Sequence, residues 1–112
     1  MKIAFTSKGT GPEAQIDPRF GRTEYILLYD EEKDEYTAID NREIGGVAHG
    51  AGPQTARKLF DLKPDVLITG NGPGGNAASA LQQASLSIFT GAGQMTVKEA
   101  YEAYKAGDLK EY

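Results

Sequence analysis

Two short stretches carry the side chains best suited to chemistry. Asp17-Pro18-Arg19-Phe20-Gly21-Arg22 holds two guanidinium groups within four positions, and Ala48-His49-Gly50-Ala51-Gly52 holds the only histidine, set among small residues. An arginine fork donates charge-assisted hydrogen bonds to anions. A neutral imidazole can ligate a metal ion or move a proton near neutral pH. The third feature is glycine, 14 in all, most of them grouped at positions 9 and 11, 45 to 52, 70 to 75, and 91 and 93. Glycine lets the backbone approach a ligand and present its N–H groups. The candidate binding set is therefore Lys8, Arg19, Phe20, Gly21, Arg22, His49, Gly50, Gly70, Asn71, Gly72, Gly74, Asn76 and Gly91, with His49 the candidate metal ligand. The same residue types have structural uses. Either arginine can pair with Asp17 and pin its loop, Phe20 can anchor that loop by packing, Met95 can be a packing residue, and glycines serve tight turns.

Several chemistries lack their residues. With no cysteine there is neither a disulfide framework nor a thiolate cage for an iron-sulfur cluster, so any metal centre must bring most of its own ligands. A two-metal nuclease needs carboxylates on the first strand and near the end of the fourth, but the first reads Ile3-Ala4-Phe5-Thr6-Ser7, and Asp65 stands at the wrong end of Val66-Leu67-Ile68-Thr69. There is no serine in a nucleophile elbow, and one histidine leaves little for acid-base work. The run at residues 70–76 lacks the Gly-Lys-Ser/Thr of a phosphate-binding loop and is not a full dinucleotide fingerprint. A non-enzymatic binding protein is expected. The 12 basic against 16 acidic residues, a net charge of -4, oppose attraction to nucleic acid or anionic membranes. The first residues run straight into a strand, too short an apolar run for a leader or a span, so a cytoplasmic setting is expected.

The elements that must position these residues follow from periodicity and turn chemistry. The 112 residues suit one domain, 1–112. Apolar runs at residues 3–7, 25–29, 36–39, 66–69 and 86–90 predict five strands. The second and third are joined by the polar run 30–35, a hairpin with a solvated tip. Helical spacing predicts a first helix over 53–62 with Pro53 at its first position, and a second capped by Asn76 and carrying Ala77, Ala78, Leu81 and Ala84. A third opens on the capping box Thr96/Glu99, carries Val97, Ala100, Tyr101 and Tyr104, and ends at Gly107. The two tyrosines should face the core. The order β-β-β-α-β-α-β-α with right-handed crossovers predicts an α/β fold: a five-stranded mixed sheet of order 3-2-1-4-5, strand 2 antiparallel, helices on both faces, the ribonuclease-H-like arrangement. The loops after strands 1, 3, 4 and 5 then emerge at one edge, bringing four glycine clusters and three helix starts to a single place, an anion-binding edge.

The residues Asp17-Pro18-Arg19-Phe20-Gly21-Arg22, His49-Gly50-Ala51-Gly52, Thr69-Gly70-Asn71-Gly72-Pro73-Gly74-Gly75-Asn76-Ala77 and Thr96-Val97-Lys98-Glu99-Ala100 resemble, in that order and over nearly the whole chain, the dinitrogenase iron-molybdenum cofactor biosynthesis family, of the NifX and NifB C-terminal type. The resemblance implies a ribonuclease-H-like domain that holds an iron-molybdenum cofactor or an iron-sulfur precursor and passes it between metallocluster assembly proteins. Where carriers of the family tend to have a histidine before Phe-Gly, this chain has Arg19, which does not ligate metal at ordinary pH. Charge and backbone amides are then expected to do most of the holding, with His49 the one direct ligand. The other reading is a regulatory or interaction module that binds a small phosphorylated or carboxylated metabolite, or a partner protein, at the same edge.

Overall fold

The computed structural model describes residues 1–81 and 83–112, with Asn76 described by its backbone alone. Its central strand is the first in sequence. β1 (Lys2–Ser7) pairs antiparallel with β2 (Tyr25–Asp30) on one side and parallel with β4 (Val66–Ile68) on the other. β3 (Glu35–Asp40) continues the sheet antiparallel to β2, and β5 (Ser87–Thr90) continues it parallel to β4. The expected order is extended by β6 (Lys110–Glu111), antiparallel to β5, so the sheet has six strands in the order 3-2-1-4-5-6, not five. Two polar residues show no alternation, which hid this strand from periodicity.

Period-two alternation divides the core between the faces of the sheet. Ile3, Phe5, Leu27, Tyr29, Val66 and Ile68 meet Val97 and Ala100 of α4 (Val97–Ala106) on one face. Ala4, Ile26 and Leu67 meet Ala56 and Leu59 of α2 (Ala51–Leu62) and Ala77 and Leu81 of α3 (Gly75–Leu81) on the other. Tyr101 and Tyr104 pack on the first cluster, as their spacing predicts. The long connection between β1 and β2 joins both: Ile16 lies in one core and Phe20 in the other, 1% and 3% exposed.

Several boundaries move. A short helix, α1 (Arg42–Gly45), precedes α2 and has no apolar stripe to announce it. α2 begins at Ala51, so Pro53 is its third residue; its missing N–H falls in the first turn, where no intrahelical acceptor exists. α3 begins at Gly75, which puts Asn76 inside the first turn and Ala84 beyond the end. Thr69 and Leu86 lie just outside their strands. The capping box of α4 forms as expected, with Thr96 Oγ1 accepting from Glu99 N at 3.1 Å and Glu99 Oε1 accepting from Thr96 N at 2.9 Å; Gly107 closes the helix at φ 79°. No described helix is long and apolar enough to cross a membrane.

The charged tip of the hairpin is not simply solvated. Glu31 is held by the Tyr101 hydroxyl at 2.5 Å, by Lys105 at 3.0 Å and by the chain's amino group at 3.7 Å, tying the hairpin to α4. Beside it Tyr29 stacks on Tyr36, meets Tyr101 edge to face, and donates its hydroxyl to Asp34 at 2.7 Å. That bond, reinforced by loss of water around the ring, pushes the Tyr29 phenol up to about 12. Below pH 10 the hydroxyl is protonated folded and unfolded, and its bond is fully present. Between 10 and about 12 the unfolded chain ionises first, so this contribution is lost as pH rises. Urea midpoints should therefore fall over that interval, and fall less in Tyr29→Phe. Thr96→Ala should cost about 1 kcal/mol at neutral pH in the same assay.

Candidate functional site at the carboxyl edge of the sheet

The loop that follows β1 is a built structure, and a buried carboxylate organises it. Asp17, with no exposed surface, accepts the backbone N–H and the Nε and Nη2 groups of Arg19 at 3.1, 3.2 and 3.3 Å, and the backbone N–H of Glu24 at 3.3 Å. A charge buried in this way persists because it is paired and hydrogen-bonded. The carboxylate in turn holds Arg19 more firmly in its charged form. Arg19 is thus the arginine that pairs with Asp17, yet its side chain is 57% exposed, so the rest of its fork faces solvent.

A buried seam of hydroxyls sets the loop against the sheet. Thr6 Oγ1 gives its proton to the Asp17 carbonyl at 2.8 Å, so Thr69 must be the donor in their 2.7 Å contact. Thr23 Oγ1 accepts from Ser7 N and donates to the Tyr25 carbonyl. Asn41 Nδ2 donates to the Thr23 carbonyl and to Thr55 Oγ1, which donates to the Gly21 carbonyl at 2.8 Å. Thr6, Thr23, Asn41, Thr55 and Thr69 are all fully buried, and none was among the sequence candidates. The available signal was a hydroxyl interrupting the apolar run at Thr6.

Glycine brings the loops together in two distinct ways. At Gly70 an added Cβ would stand 2.6 Å from the Pro18 Cα, and at Gly21 it would stand 2.8 Å from the Gly52 Cα, so these two serve backbone-to-backbone packing. Asn71 N donates to the Pro18 carbonyl and Gly91 N to the Gly70 carbonyl, each at 3.0 Å. A Cβ on Gly52 would lie 3.5 Å from that of Ala77, so the starts of α2 and α3 adjoin. Gly74, Gly75 and Gly91, by contrast, have nothing within 4 Å of where a side chain would project. Gly50, Gly74 and Gly91 take positive φ of 78°, 82° and 97°, which favours glycine.

The candidates therefore separate. Residues 17–22, 45–52, 70–75 and 91–93 form one contiguous edge, and Arg19, His49, Gly50, Asn71, Gly74 and Gly91 lie on it. Phe20 is a packing anchor. Arg22 donates to the carbonyls of Gly45, Val47 and Ala48 at 2.9, 2.8 and 3.4 Å and so holds the segment that presents His49, which is exposed. Lys8 is exposed on the α4 side, where Gln15 bridges to Thr96. Gly72 sits under the Tyr112 ring. The side chain of Asn76 lies outside the described residues. Among the described residues no three His, Asp or Glu side chains gather as a metal site.

The profile of the family described as dinitrogenase iron-molybdenum cofactor matches residues 1–107. The chain belongs to this family. Among solved structures, the apo form of the orange protein from Desulfovibrio gigas superposes with a TM-score of 0.92 at 31% identity, covering 99% of this chain and 92% of that one. A Thermotoga protein provisionally named NifB gives 0.82 at 32% identity, covering 98% and 91%. Among curated proteins none matches the chain in sequence. The family profile takes in every loop of the edge and stops short of β6.

The two kinds of glycine should separate on substitution. Gly70→Ala is expected to cost about 1–3 kcal/mol, because backbone must move to admit the methyl. Gly75→Ala, in open space at ordinary φ, should be neutral or stabilising by up to about 1 kcal/mol. Asp17→Ala strands four donors and should cost about 1–3 kcal/mol or more, read by urea denaturation.

Proposed function

We propose that this chain is a single non-enzymatic binding domain, 1–112, that carries an iron-molybdenum cofactor or an iron-sulfur precursor as cargo and exchanges it with metallocluster assembly proteins. The observation that carries the reading is family membership over residues 1–107, a span that includes the whole loop edge. We read strands 3-2-1-4-5 as the ribonuclease-H-like arrangement, with β6 added at one side.

The donor set fits such cargo. A metal-sulfur cluster brings its own sulfides and carries net negative charge, so it needs counter-charge and N–H donors more than a cage of protein ligands. The open backbone at Gly74, Gly75 and Gly91 leaves room for a bulky group, and Arg19 supplies an exposed charge fixed at its base by Asp17. Arg22 acts one step away, by holding the segment before His49. With the Asp17 carboxylate buried and engaged, the exposed imidazole of His49 is the side chain to which we assign a direct bond to metal. Exchange with a second protein suits an exposed edge from which cargo can be lifted.

Anaerobic titration with isolated iron-molybdenum cofactor and with a synthetic iron-sulfur cluster, read by visible absorbance beside a carrier of proven binding, tests the reading. Saturable binding is expected. If the wild type binds neither while the control does, the proposal fails, and stabilisation by phosphorylated or carboxylated metabolites in a thermal-shift screen would then favour the regulatory module. Arg19→Ala should weaken binding about 10- to 100-fold, the worth of a charged hydrogen bond. His49→Ala should alter the absorbance spectrum of the bound cluster if the imidazole is a ligand.

A further inference from the structure

β6 is too short to belong to the core, yet it delivers one side chain to the glycine-rich loop. Glu111 and Lys110 pair with Phe89 and Thr90, the Lys110 carbonyl accepts from Thr90 Oγ1 at 3.3 Å, and Tyr112 N donates to the Ile88 carbonyl at 2.8 Å. These backbone bonds place the Tyr112 ring against Gly72, where its carbons occupy the position a side chain would take. Tyr112 is 59% exposed and borders an open cavity of about 370 Å³ between α3 and the strands, lined by Ala78, Leu81 and Ile88 among others. Among the described residues nothing hydrogen-bonds its hydroxyl. The ring is held by its backbone and by Gly72, with space behind it.

We propose that Tyr112 is a positioning residue for residues 70–75: its ring clamps Gly72 and holds the loop that offers backbone amides at the cargo edge. Gly72 is glycine because the ring needs its α-carbon bare, not because cargo does. Its φ is outside the positive range, and the three atoms nearest a side chain placed there all belong to the Tyr112 ring, so an alanine at this position must displace the ring. An aromatic ring against a glycine α-carbon excludes water from one side of the loop and restrains its backbone, lowering the ordering cost that binding must meet. As a consequence for cargo exchange, this rests on the carrier reading; as a statement about the loop, it does not.

The test has one arm for each. In isotope-labelled protein without cargo, the Gly72 α-protons should be displaced by the ring current, and the Asn71 amide, which donates to the Pro18 carbonyl, should be protected from hydrogen exchange. Tyr112→Ala should abolish the displacement and speed exchange about tenfold, while Tyr112→Phe retains both because the contact is made by ring carbons. Gly72→Ala should reproduce the Tyr112→Ala result in the wild-type background and add nothing in the Tyr112→Ala background, since the two share one contact. In titration with isolated iron-molybdenum cofactor, Tyr112→Ala should bind several-fold more weakly than wild type, by the order of the lost preorganisation. Unchanged exchange and shifts in Tyr112→Ala, or full additivity with Gly72→Ala, would overturn the clamp. If the clamp variants behave as expected but no variant nor the wild type binds cofactor, the clamp stands and the carrier reading falls.

Discussion

Backbone meets backbone at two places beneath the loop edge, Gly70 against Pro18 and Gly21 against Gly52, and the arrangement above rests on those approaches. The connection from β1 to β2 must cross the ends of the strands and return. It can lie flat only where no side chain separates it from the loops it crosses. Ile16 and Phe20 then sink into opposite cores, so the loop straddles the sheet edge like a strap with a rivet on each face. Asp17 supplies the acceptor that its turned-up N–H groups would otherwise lack.

That architecture bears on how an acidic protein could present the anion-binding edge proposed above. The carboxylate nearest the edge is buried and engaged with Arg19 and Glu24 N, so its charge is met locally, while the outer part of Arg19 faces water. Much of the remaining acid, residues 30 to 35 and Asp65, lies at the far end of the strands, where Glu31 binds Lys105 and Asp65 accepts from Lys2 N. Net charge alone said little about the sign at the site.

What could be read in the sequence was local, repetitive or both. The Thr96/Glu99 box is a contact over three residues, and it appeared where expected. Strands 1 to 5 announced themselves by apolar runs, and their order followed from crossover handedness. β6 and α1 were illegible, since neither buries a stripe of its own: Lys110 and Glu111 are exposed, and α1 has no buried residue. The glycine clusters pointed to the loops that the fold gathers at one edge, but two structural situations were mixed in them. Whether a glycine such as Gly70 admits a neighbouring backbone or leaves space for a ligand depends on what the fold brings opposite, and that is non-local information. The same holds for Thr6, Thr69 and Asn41, whose polar side chains become core residues only once partners 14 to 63 positions away are in place.

The central place of β1 has a consequence for how the chain is made. β1 is made before β2 and β3, finds them in turn, and the three can form a meander. Its other edge stays open until residues 66–68 arrive, with Thr6 waiting for Thr69 across 63 positions. α2, made before β4, can cover Ala4 early, whereas Ile3 and Phe5 wait for α4, which follows β4 and β5. The nascent chain therefore passes through an interval in which a strand destined for full burial over residues 3–7 is paired on one side and bare on the other, a stage at which β-edge association with a second nascent chain competes with completion of the fold.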